Sequence, residues 1–507
     1  MTDYDYVVVG GGTAGCVLAA RLSQDPAARV LLLEAGGAEP DGAGSDPAGW
    51  PQLVGSDADW GGLTVPQAAA GPVAFPRGRV LGGSGAINAM AHIRGHHGVY
   101  DAWADGGADG WGYSALLPYF NRSEDTGKAR DPELRGTRGP VRVAPVPEAS
   151  RHPVAQAFAT ALCALGYPAT EDLSGRRQEG VAWPDLAIAD GHRVSPASAY
   201  LRPALHRPNL TVRTGCLVTR LIIDGSRCAG ASYVRDGAVE QAHAAEEVVL
   251  CAGAVGSPQL LMLSGIGPAG HLSALGLGVT ADLPGVGSNL QDHPVVTATY
   301  AAAAPMRASG YNHGETYAAL WSPQAGDWPD LQLFPILLPV APPGRETPDM
   351  RFALAASVVA PASRGTVRLA SASPDTAPLI DPGFLTAPAD LDRLEAGLGI
   401  IRRAAASAAM SELGIWEAWP GPDTRDGDGV RTWARSGVGS YYHPAGTCRI
   451  GPATDHGAVV NPQLRVHGIT GLRVADASVM PVIPNAPLHA TVLAIAEKAA
   501  DLIRLRT

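Results

Sequence analysis

The sequence YDYVVVGGGTAG occupies residues 4–15, and a second apolar run, VLLL at residues 30–33, ends at Glu34. The valines of the first stretch predict a buried strand, residues 16–22 predict the helix that follows it, and the second run predicts another strand. This order of strand, glycine-rich loop, helix, strand and acid is typical of a dinucleotide-binding unit. The chain is therefore predicted to be an α/β protein with a Rossmann-type domain.

Three glycines of this stretch, Gly10, Gly12 and Gly15, have the spacing G-x-G-x-x-G. In a dinucleotide site the first allows a tight turn, the second lets the backbone approach the pyrophosphate, and the third lets helix and strand pack closely. The helix N-terminus offers free N–H groups to the phosphates. An acid about 20 residues further on accepts hydrogen bonds from the ribose, and Glu34 stands where that acid is needed.

Length and composition predict a large folded protein. The 507 residues indicate two to three domains, and 46% hydrophobic with 17% charged residues predicts a sizeable core. The net charge of -10 argues against nucleic acid or an anionic membrane surface as a partner. No uninterrupted apolar stretch reaches the ~18 residues of a membrane span, so we expect no membrane span.

Cysteine usage and the first residues favour a cytoplasmic protein. The six cysteines lie far apart, without the spacing of metal ligands, so reduced thiols and no metal site are expected. The N-terminal residues carry acids where a secretory signal would have a basic region before an apolar run.

The rest of the chain divides by composition. Residues 36–80 are rich in Gly, Pro, Asp and Trp, which predicts an extended excursion over the first domain. Residues 300–430 contain more Pro, Tyr and Trp, with alternating runs such as LQLFP at 331–335. This region predicts a separate substrate-binding domain built on an antiparallel sheet. Residues 488–505 place apolar residues on one face of a predicted helix.

Shorter patterns predict further elements. Ser257 and Pro258 fit the N-cap and the first position of a helix. Helices are also predicted over 153–166 and over 111–120 with an interruption at Pro118, and strands over 210–213, 217–223, 229–234 and 246–251.

Five segments resemble, in order along the chain, the signatures of the glucose-methanol-choline (GMC) oxidoreductase family. They are GRVLGGSGAIN at 78–88, GAVGSPQLLMLSGIG at 253–267, NLQDH at 289–293, YHPAGTC at 442–448 and LRVADAS at 472–478. Each match alone is modest, but together they are highly specific. The resemblance implies FAD rather than NAD, and the oxidation of an alcohol. It is closest in style to choline-dehydrogenase-like and aryl-alcohol-oxidase-like members.

The resemblance implies the GMC fold, a Rossmann-type FAD-binding domain combined with the substrate-binding domain on its antiparallel sheet. The FAD-binding domain is expected to comprise residues 1–150, 191–298 and 431–507, and the substrate-binding domain residues 151–190 and 299–430.

By resemblance, the FAD-binding residues come from several separate segments. The expected set is Gly10, Gly12, Thr13, Ala14, Gly15, Glu34, Ala35, Trp60, Arg79, Gly82, Gly83, Ser84, Asn88, Ala89, Met90, Ala91, Val218, Ala252, Gly253, Asp476, Ala477, His489, Ala490 and Thr491. Val218 is expected to back the adenine. A carboxylate is repelled by a pyrophosphate, so Asp476 is expected to bind a ribityl or ribose hydroxyl or to cap the backbone, which leaves the Ala477 N–H for the phosphates.

The loop from Gly82 to Asn88 carries no bulky side chain except Ile87, so its backbone can press against a flat ring. One member of the family links its flavin covalently to a histidine of this loop. The matching residue here is Ile87, which cannot form that bond. The FAD is therefore predicted to be bound non-covalently.

Two histidines are the candidate catalytic residues. His443 lies between two tyrosines and the turn Pro-Ala-Gly, and an imidazole is a suitable general base near neutral pH. For the second catalytic side chain, Asn485 and His489 compete. Counting back from AEK at 496–498 favours His489 by resemblance, because Asn485 would require a shift of one helical turn. His489 would lie at a helix N-terminus, which disfavours its protonation and favours negative charge on a reduced flavin.

The expected reaction oxidises a small alcohol. Its hydroxyl would bond His443 and His489, His443 would take the proton, and a hydride would pass to flavin N5, giving an aldehyde or ketone. Oxygen or another acceptor would reoxidise the flavin. The paired histidines favour a neutral primary alcohol, aryl or furanic. The pocket residues Tyr311, His313, Trp321, Phe334 and Phe352 could line the substrate or simply pack the sheet.

Other functions remain open at this point. Within the family, the alternatives are a sugar or amino-alcohol oxidase or dehydrogenase, a hydroxynitrile lyase that keeps FAD without redox turnover, and a light-driven decarboxylase. Retention of both histidines argues against the decarboxylase. Outside it, an NAD-dependent dehydrogenase shares the first motif, and a flavin-binding module with a regulatory role would leave the flavin oxidised with every alcohol.

Overall fold

The computed structural model describes residues 4–505 except 41, 68, 128–129, 341–349, 422–423 and 425–426. Its strands, in chain order, are Tyr4–Val9 (β1), Val30–Leu33 (β2), Ala91–His92 (β3), Glu124–Asp125 (β4), Val141–Arg142 (β5), Gly180–Ala182 (β6), Asp185–Leu186 (β7), Ile188–Ala189 (β8), His192–Arg193 (β9), Leu210–Arg213 (β10), Leu217–Asp224 (β11), Arg227–Arg235 (β12), Ala238–Leu250 (β13), Ile266–Gly267 (β14), Ala281–Asp282 (β15), Pro294–Ala302 (β16), Tyr317–Leu320 (β17), Leu331–Ile336 (β18), Met350–Val358 (β19), Thr366–Arg368 (β20), Leu379–Asp381 (β21), Ile415–Trp419 (β22), Gly439–Ser440 (β23) and Leu472–Val474 (β24).

The α-helices are fewer and lie mostly against the sheets. They are Thr13–Leu22 (α1), Ser84–Ile87 (α2), His97–Asp105 (α3), Tyr113–Ser123 (α4), Pro153–Ala164 (α5), Gly253–Leu263 (α6), Ala269–Ala274 (α7), Pro388–Ala405 (α8), Ala408–Ser411 (α9), Gly427–Gly437 (α10) and His489–Arg504 (α11). No helix in the described part of the chain combines the length and the apolar character needed to cross a membrane.

The first sheet has a parallel half and an antiparallel half. In its parallel half the strand order is β10-β2-β1-β13, and β24 pairs with the C-terminal end of β13. The N-terminal part of the long strand β13 pairs antiparallel with β12, which pairs with β11. Strand β2 is fully buried, as expected of a parallel strand covered on both faces. Helices α1 and α11 pack against each other beside this half. This is the predicted Rossmann-type arrangement.

The second sheet is antiparallel throughout the described residues, in the order β22-β16-β19-β18-β17-β6 with β23 at the start of β16. Its side chains alternate between two faces, as the two-residue period of a strand requires. On β18, Leu331 and Leu333 join the core that contains α5 and α8. Phe334, on the other face, packs with Ala91 and Ala486. This second face is therefore turned toward β3 and the segment just before α11.

Helix α4 corrects the prediction of an interruption at Pro118. The helix runs without a break from Tyr113 to Ser123. Its buried residues Leu116 and Phe120 lie on one face, and α4 packs along α11. Burial of this face stabilises the helix across the proline, which stands only one turn beyond the helix start.

The start of α6 corrects a second prediction. The helix begins at Gly253, not at Pro258, and Ser257 is a helical residue rather than the N-cap. A proline inside a helix leaves the carbonyl of the residue four positions earlier without its N–H partner. Here that carbonyl belongs to Ala254, and it accepts a hydrogen bond of 2.7 Å from Thr447 Oγ1. A tertiary contact thus replaces the lost helical bond.

Candidate active site

The glycine-rich turn after β1 lies at the carboxyl ends of the parallel strands. Gly10 has a φ of 101°, and a Cβ at this position would lie 2.5 Å from the carbonyl oxygen of Cys251, at the end of β13. A Cβ on Gly15 would lie 1.9 Å from the carbonyl oxygen of Gly10. Beside them, the nearest atom to a Cβ on Gly12 is 3.8 Å away. Gly10 and Gly15 are packed tightly against backbone atoms, whereas Gly12 has free space beside it. This arrangement suits the binding of a phosphate.

Glu34 is buried beside this turn. Its carboxylate accepts hydrogen bonds from the N–H groups of Gly11 at 2.7 Å and Gly36 at 2.8 Å. Burial raises the pKa of Glu34 to about 7, against the effect of these bonds and of Arg79. Each oxygen keeps a second lone pair, so the carboxylate can still accept ribose hydroxyl bonds.

The predicted flavin loop docks directly on the glycine turn. The N–H of Gly82 donates to the carbonyl of Gly11 at 2.7 Å, and a Cβ on Gly83 would lie 2.6 Å from Cα of Gly12. Gly82 and Gly83 have φ values of 92° and 55°, a region that favours glycine. Next comes α2, with Ile87 buried at its end. The loop therefore presents backbone, with no side chain able to bond covalently to a flavin at Ile87.

Asp476 serves as the backbone cap that was one of its predicted roles. Its carboxylate accepts hydrogen bonds from the N–H of Ser478 at 2.8 Å, the N–H of Gly253 at 2.9 Å and the hydroxyl of Ser257 at 2.6 Å. These bonds join the end of β24 to the start of α6. Ala477, next in the chain, begins a short 3₁₀ helix.

The other predicted cofactor residues fall into two groups. One group joins the segments just described: Thr13 and Ala14 begin α1, Ala35 follows Glu34, Ser84 begins α2, Ala89 to Ala91 lead into β3, Ala252 precedes α6, and Ala490 and Thr491 follow His489. The second group lies further out. Arg79 stacks on the exposed Trp60 at 5.1 Å, and Val218 lies on β11 in the antiparallel half of the first sheet. Their cofactor contacts stay predictions.

One buried polar atom beside the predicted flavin loop has no partner among the described residues, as expected of a site that receives a polar group. Arg193 donates from Nη1 to Oδ1 of Asn88 at 2.8 Å, whereas its Nη2 is buried without a partner. Burial lowers the pKa of Arg193 to about 10, so the guanidinium remains charged at pH 7. Together with the open glycine turn, this unpartnered Nη2 fits a bound FAD. Sequence reasoning missed Arg193, which stands outside the recognised segments.

His443 is held from two sides. Its N–H donates to Oδ1 of Asp292 at 2.8 Å, and its ring atom Nδ1 lies 3.0 Å from Nδ1 of His293. The Tyr441 ring lies 4.4 Å from the His443 ring. Desolvation lowers the pKa of His443 to about 3, so the imidazole is neutral at pH 7.

His489 is held only by its backbone. It is the first residue of α11, it is buried, and both Nδ1 and Nε2 have no hydrogen-bond partner among the described residues. The His92 ring lies edge-on at 6.1 Å. Desolvation, with His92 and Arg193 nearby, lowers the pKa of His489 to about 3. A second neutral imidazole thus has both ring nitrogens available to a ligand.

Asn485 differs from His489 because both ends of its amide are engaged. Its Oδ1 accepts a hydrogen bond from the N–H of His96 at 2.7 Å, and its Nδ2 donates to the carbonyl of Pro329 at 2.9 Å. The side chain therefore joins two loops and has no free amide end. This observation supports His489 over Asn485 as the second catalytic candidate.

The NLQDH segment (289–293) forms hydrogen bonds with the segment before α11, which carries His489, and with the backbone of His443. Gln291 donates from Nε2 to the carbonyl of Pro481 at 3.0 Å and accepts from the N–H of Ile483 at 3.1 Å, just before α11. Asp292 holds the backbone of His443. Sequence reasoning recognised this segment by resemblance and gave it no role, because neither partner lies close to it in the chain.

The predicted pocket residues separate by sheet face. Phe334 stacks between Tyr317, at 5.4 Å, and Tyr441, at 4.6 Å, so this aromatic column ends beside His443. Phe352 instead stacks on Tyr300 in the core under α8. The remaining three lie elsewhere: Trp321 is exposed, His313 bonds the carbonyl of Ala48, and Tyr311 is half-buried.

A dinucleotide cradle and two buried neutral imidazoles in one chain are typical of a dinucleotide-dependent oxidoreductase, and comparison with known proteins gives the family. Residues 4–295 and 361–496 match the two family models described as GMC oxidoreductase. The chain belongs to the GMC oxidoreductase family. It is therefore an FAD-dependent enzyme that acts on CH–OH donors.

The relatives span nearly the whole chain. Human mitochondrial choline dehydrogenase is 39% identical over 99% of this chain and 90% of its own length. The oxygen-dependent choline dehydrogenase of Photobacterium profundum is 37% identical, covering 99% and 93%. Among solved structures, pyridoxine 4-oxidase from Mesorbium loti has a TM-score of 0.94 at 36% identity over the full length of both chains. A fungal aryl-alcohol oxidase has a TM-score of 0.85 at 26% identity, covering 99% of each.

Proposed function

We propose that the protein oxidises an aromatic primary alcohol to its aldehyde, with His443 as the general base. The observation that carries this proposal is the pair of neutral imidazoles, one fixed at Nδ1 and the other with both ring nitrogens unpartnered. When bound, FAD supplies flavin N5 as the acceptor of the carbinol hydride. The protein's own groups handle the hydroxyl proton.

His443 takes that proton. Its Nδ1 is occupied by His293, which leaves Nε2 to face the substrate hydroxyl. Because the ring is neutral at pH 7, it can accept the proton as the oxygen gains alkoxide character. General-base catalysis of this kind contributes about 100- to 10,000-fold.

His489 orients the same hydroxyl. One unpartnered ring nitrogen of His489 forms a hydrogen bond with the alcohol oxygen and stabilises the charge that develops on it. The His489 ring stands at the N-terminus of α11, where the helix dipole also favours negative charge.

The aromatic column supports an aryl substrate over a quaternary ammonium. Tyr317, Phe334 and Tyr441 stack in a column, and its last ring, Tyr441, lies 4.4 Å from the His443 ring, so an aryl substrate at His443 would have aromatic neighbours. The buried carboxyls in this region are already engaged: Asp292 by Ser440 and two backbone N–H groups, and Glu315 by Ser309 and the N–H of His152. The likeness to pyridoxine 4-oxidase and to an aryl-alcohol oxidase also supports this substrate class.

An amino alcohol is the second candidate, because the curated relatives include choline dehydrogenases at up to 39% identity over nearly the whole chain. A quaternary ammonium would have to rest on the faces of the aromatic column, as cation–π contacts allow. The electron acceptor is oxygen or another carrier, and non-covalent FAD completes the proposal because Ile87 offers no linking atom.

The test is anaerobic mixing of the purified holoprotein with benzyl alcohol, pyridoxine or choline while the visible flavin spectrum is recorded. We expect bleaching with the aromatic alcohols, and slow or absent bleaching with choline. Admission of air then distinguishes an oxidase, which recovers the oxidised spectrum and forms hydrogen peroxide, from a dehydrogenase. An oxidised spectrum with every aromatic alcohol, or faster bleaching with choline, would contradict the proposed substrate class.

A further inference from the structure

Two imidazoles meet nitrogen to nitrogen in the interior. Nδ1 of His293 and Nδ1 of His443 are 3.0 Å apart, a hydrogen-bonding distance. His293 is fully buried, and desolvation holds its pKa well below the ordinary value, so both rings are neutral at pH 7. A neutral imidazole carries one N–H. Because the two nitrogens are at hydrogen-bonding distance, one ring donates its N–H and the other accepts it, so one proton lies between them.

The far side of His293 decides which ring donates. Nε2 of His293 is buried and has no hydrogen-bond partner among the described residues, and the backbone carbonyls of Val359 and Pro484 act on the ring to raise its pKa. Carbonyl oxygens only accept hydrogen bonds, and Nδ1 already faces His443, so these carbonyls favour a proton on Nε2. With its single proton on Nε2, His293 offers the lone pair of Nδ1 to His443.

Backbone hydrogen bonds around His293 and His443 hold the two rings in fixed relative positions. Oδ1 of Asp292 accepts from the N–H groups of both His293 and His443, each at 2.8 Å, and its other oxygen accepts from the Ser440 hydroxyl. The N–H of Tyr441 donates to the carbonyl of His293 at 3.0 Å. The Asp292 carboxyl and the bond between Tyr441 and His293 thus hold the two histidines together, although they are far apart in the chain.

We propose that His293 is a positioning residue that selects the tautomer of His443. It accepts the Nδ1–H of His443 and thereby leaves Nε2 of His443 unprotonated toward the substrate. In the opposite tautomer, Nε2 of His443 would carry the proton and could not receive another from an alcohol. This inference rests on the proposed function of His443 as the base.

The first test measures the tautomer without turnover. Holoprotein labelled with ¹⁵N in its histidines is studied by NMR at pH 7.5, and the His443 signals are identified by their loss in His443→Asn. We expect a protonated Nδ1 and an unprotonated Nε2 on His443. A protonated Nε2 on His443 would overturn the inference, whatever the activity of the enzyme.

The second test uses a matched pair of substitutions. His293→Asn places an amide oxygen near the former Nδ1 and keeps an acceptor, whereas His293→Leu fills similar space without one. We expect His293→Leu to slow anaerobic flavin reduction by about 10- to 100-fold, within the range of general-base catalysis, with the substrate dissociation constant nearly unchanged. His293→Asn should recover most of this loss. Equal losses in both variants, or no loss in His293→Leu, would contradict the positioning role.

The two proposals fail in different ways. If His443→Ala retained normal flavin reduction, the proposed function of His443 would be wrong while the tautomer measured by NMR still stood. If His443→Ala were inactive and Nε2 of His443 were protonated, only the role of His293 would be wrong. Should His293→Leu fail to bind FAD, the NMR measurement on the unsubstituted protein still decides.

Discussion

His443 and His489 show two ways of holding a neutral imidazole. The His443 ring is fixed at Nδ1 by His293, and its backbone is fixed by Asp292. Among the described residues, the His489 ring has no hydrogen-bond partner at either nitrogen, and its position depends on the start of α11. A fixed ring with one open nitrogen is suited to proton transfer in a defined direction. A ring with both nitrogens unpartnered can form one hydrogen bond with a substrate and another with a cofactor.

Substitution of His443 should give the largest effect. His443→Ala removes the proposed base, so we expect flavin reduction to slow by at least about 100-fold, up to about 10,000-fold. FAD content should stay normal, because no predicted cofactor contact is lost. Stopped-flow reduction under anaerobic conditions measures this effect. A rate near that of the unsubstituted enzyme would show that the fixed histidine is not the base.

His489→Ala should give a smaller loss. A hydrogen bond to a charged group is worth about 1.5–3 kcal/mol, so we expect flavin reduction to slow by roughly 10- to 100-fold. Asn485→Ala is the control, since its amide joins His96 to Pro329. Asn485→Ala should lower the melting temperature and leave the rate of flavin reduction nearly unchanged. A greater rate loss in Asn485→Ala than in His489→Ala would reverse the assignment.

His92→Phe probes the neighbour of the unfixed ring. His92 contacts His489 only edge-on, and its own Nε2 pairs with Glu124, which Arg94 and Arg135 also hold. Phenylalanine keeps an aromatic ring beside His489, so we expect flavin reduction to change by less than about fivefold, which corresponds to about 1 kcal/mol. The comparison is with His293→Leu on the other side of the site. Equal losses in the two variants would remove the distinction between a fixed and an unfixed ring.

The pH profile should show the smallest change. Because the pKa of His443 in the folded protein is about 3, the base stays unprotonated well below the ordinary histidine pKa of about 6.5. We expect the rate constant for flavin reduction to be level from pH 8 to pH 5. The unfolded chain does bind protons below about pH 6.5, so stability falls with acid. Urea unfolding at pH 7 and pH 5 measures that loss, and a rate that halves near pH 6.5 would contradict the buried neutral base.

Short sequence patterns were sufficient to predict much of the fold. Strand β2 has the predicted limits, Val30 and Leu33, because a short apolar run bounded by polar residues has few alternatives. The glycine turn was predictable from its spacing, since Gly10 and Gly15 lie too close to backbone for a side chain and Gly12 leaves room for a phosphate. The start of α6 was not, because the bond that tolerates Pro258 comes from Thr447.

The same limit applies to the site. His443 and His489 could be singled out from the sequence by resemblance, whereas the roles of His293 and Arg193 could not. The partner of His293 lies on another segment of the chain, as does the carbonyl environment of its Nε2. Asn485 had an attractive sequence position, and only its two hydrogen bonds show that its amide is engaged.

The position of β1 between β2 and β13 has a consequence for biosynthesis. Val8 pairs with Leu32 on one side and with Val249 on the other, so the cradle at the end of β1 is completed by residues made much later. Long-range strand pairing is slow to form, and ribosomes add only about 5–20 residues per second. The outer edge of β2 therefore stays unpaired until residues 210–213 are made, and the outer edge of β1 until residues 244–250 are made. We expect these strands to need protection from aggregation during synthesis.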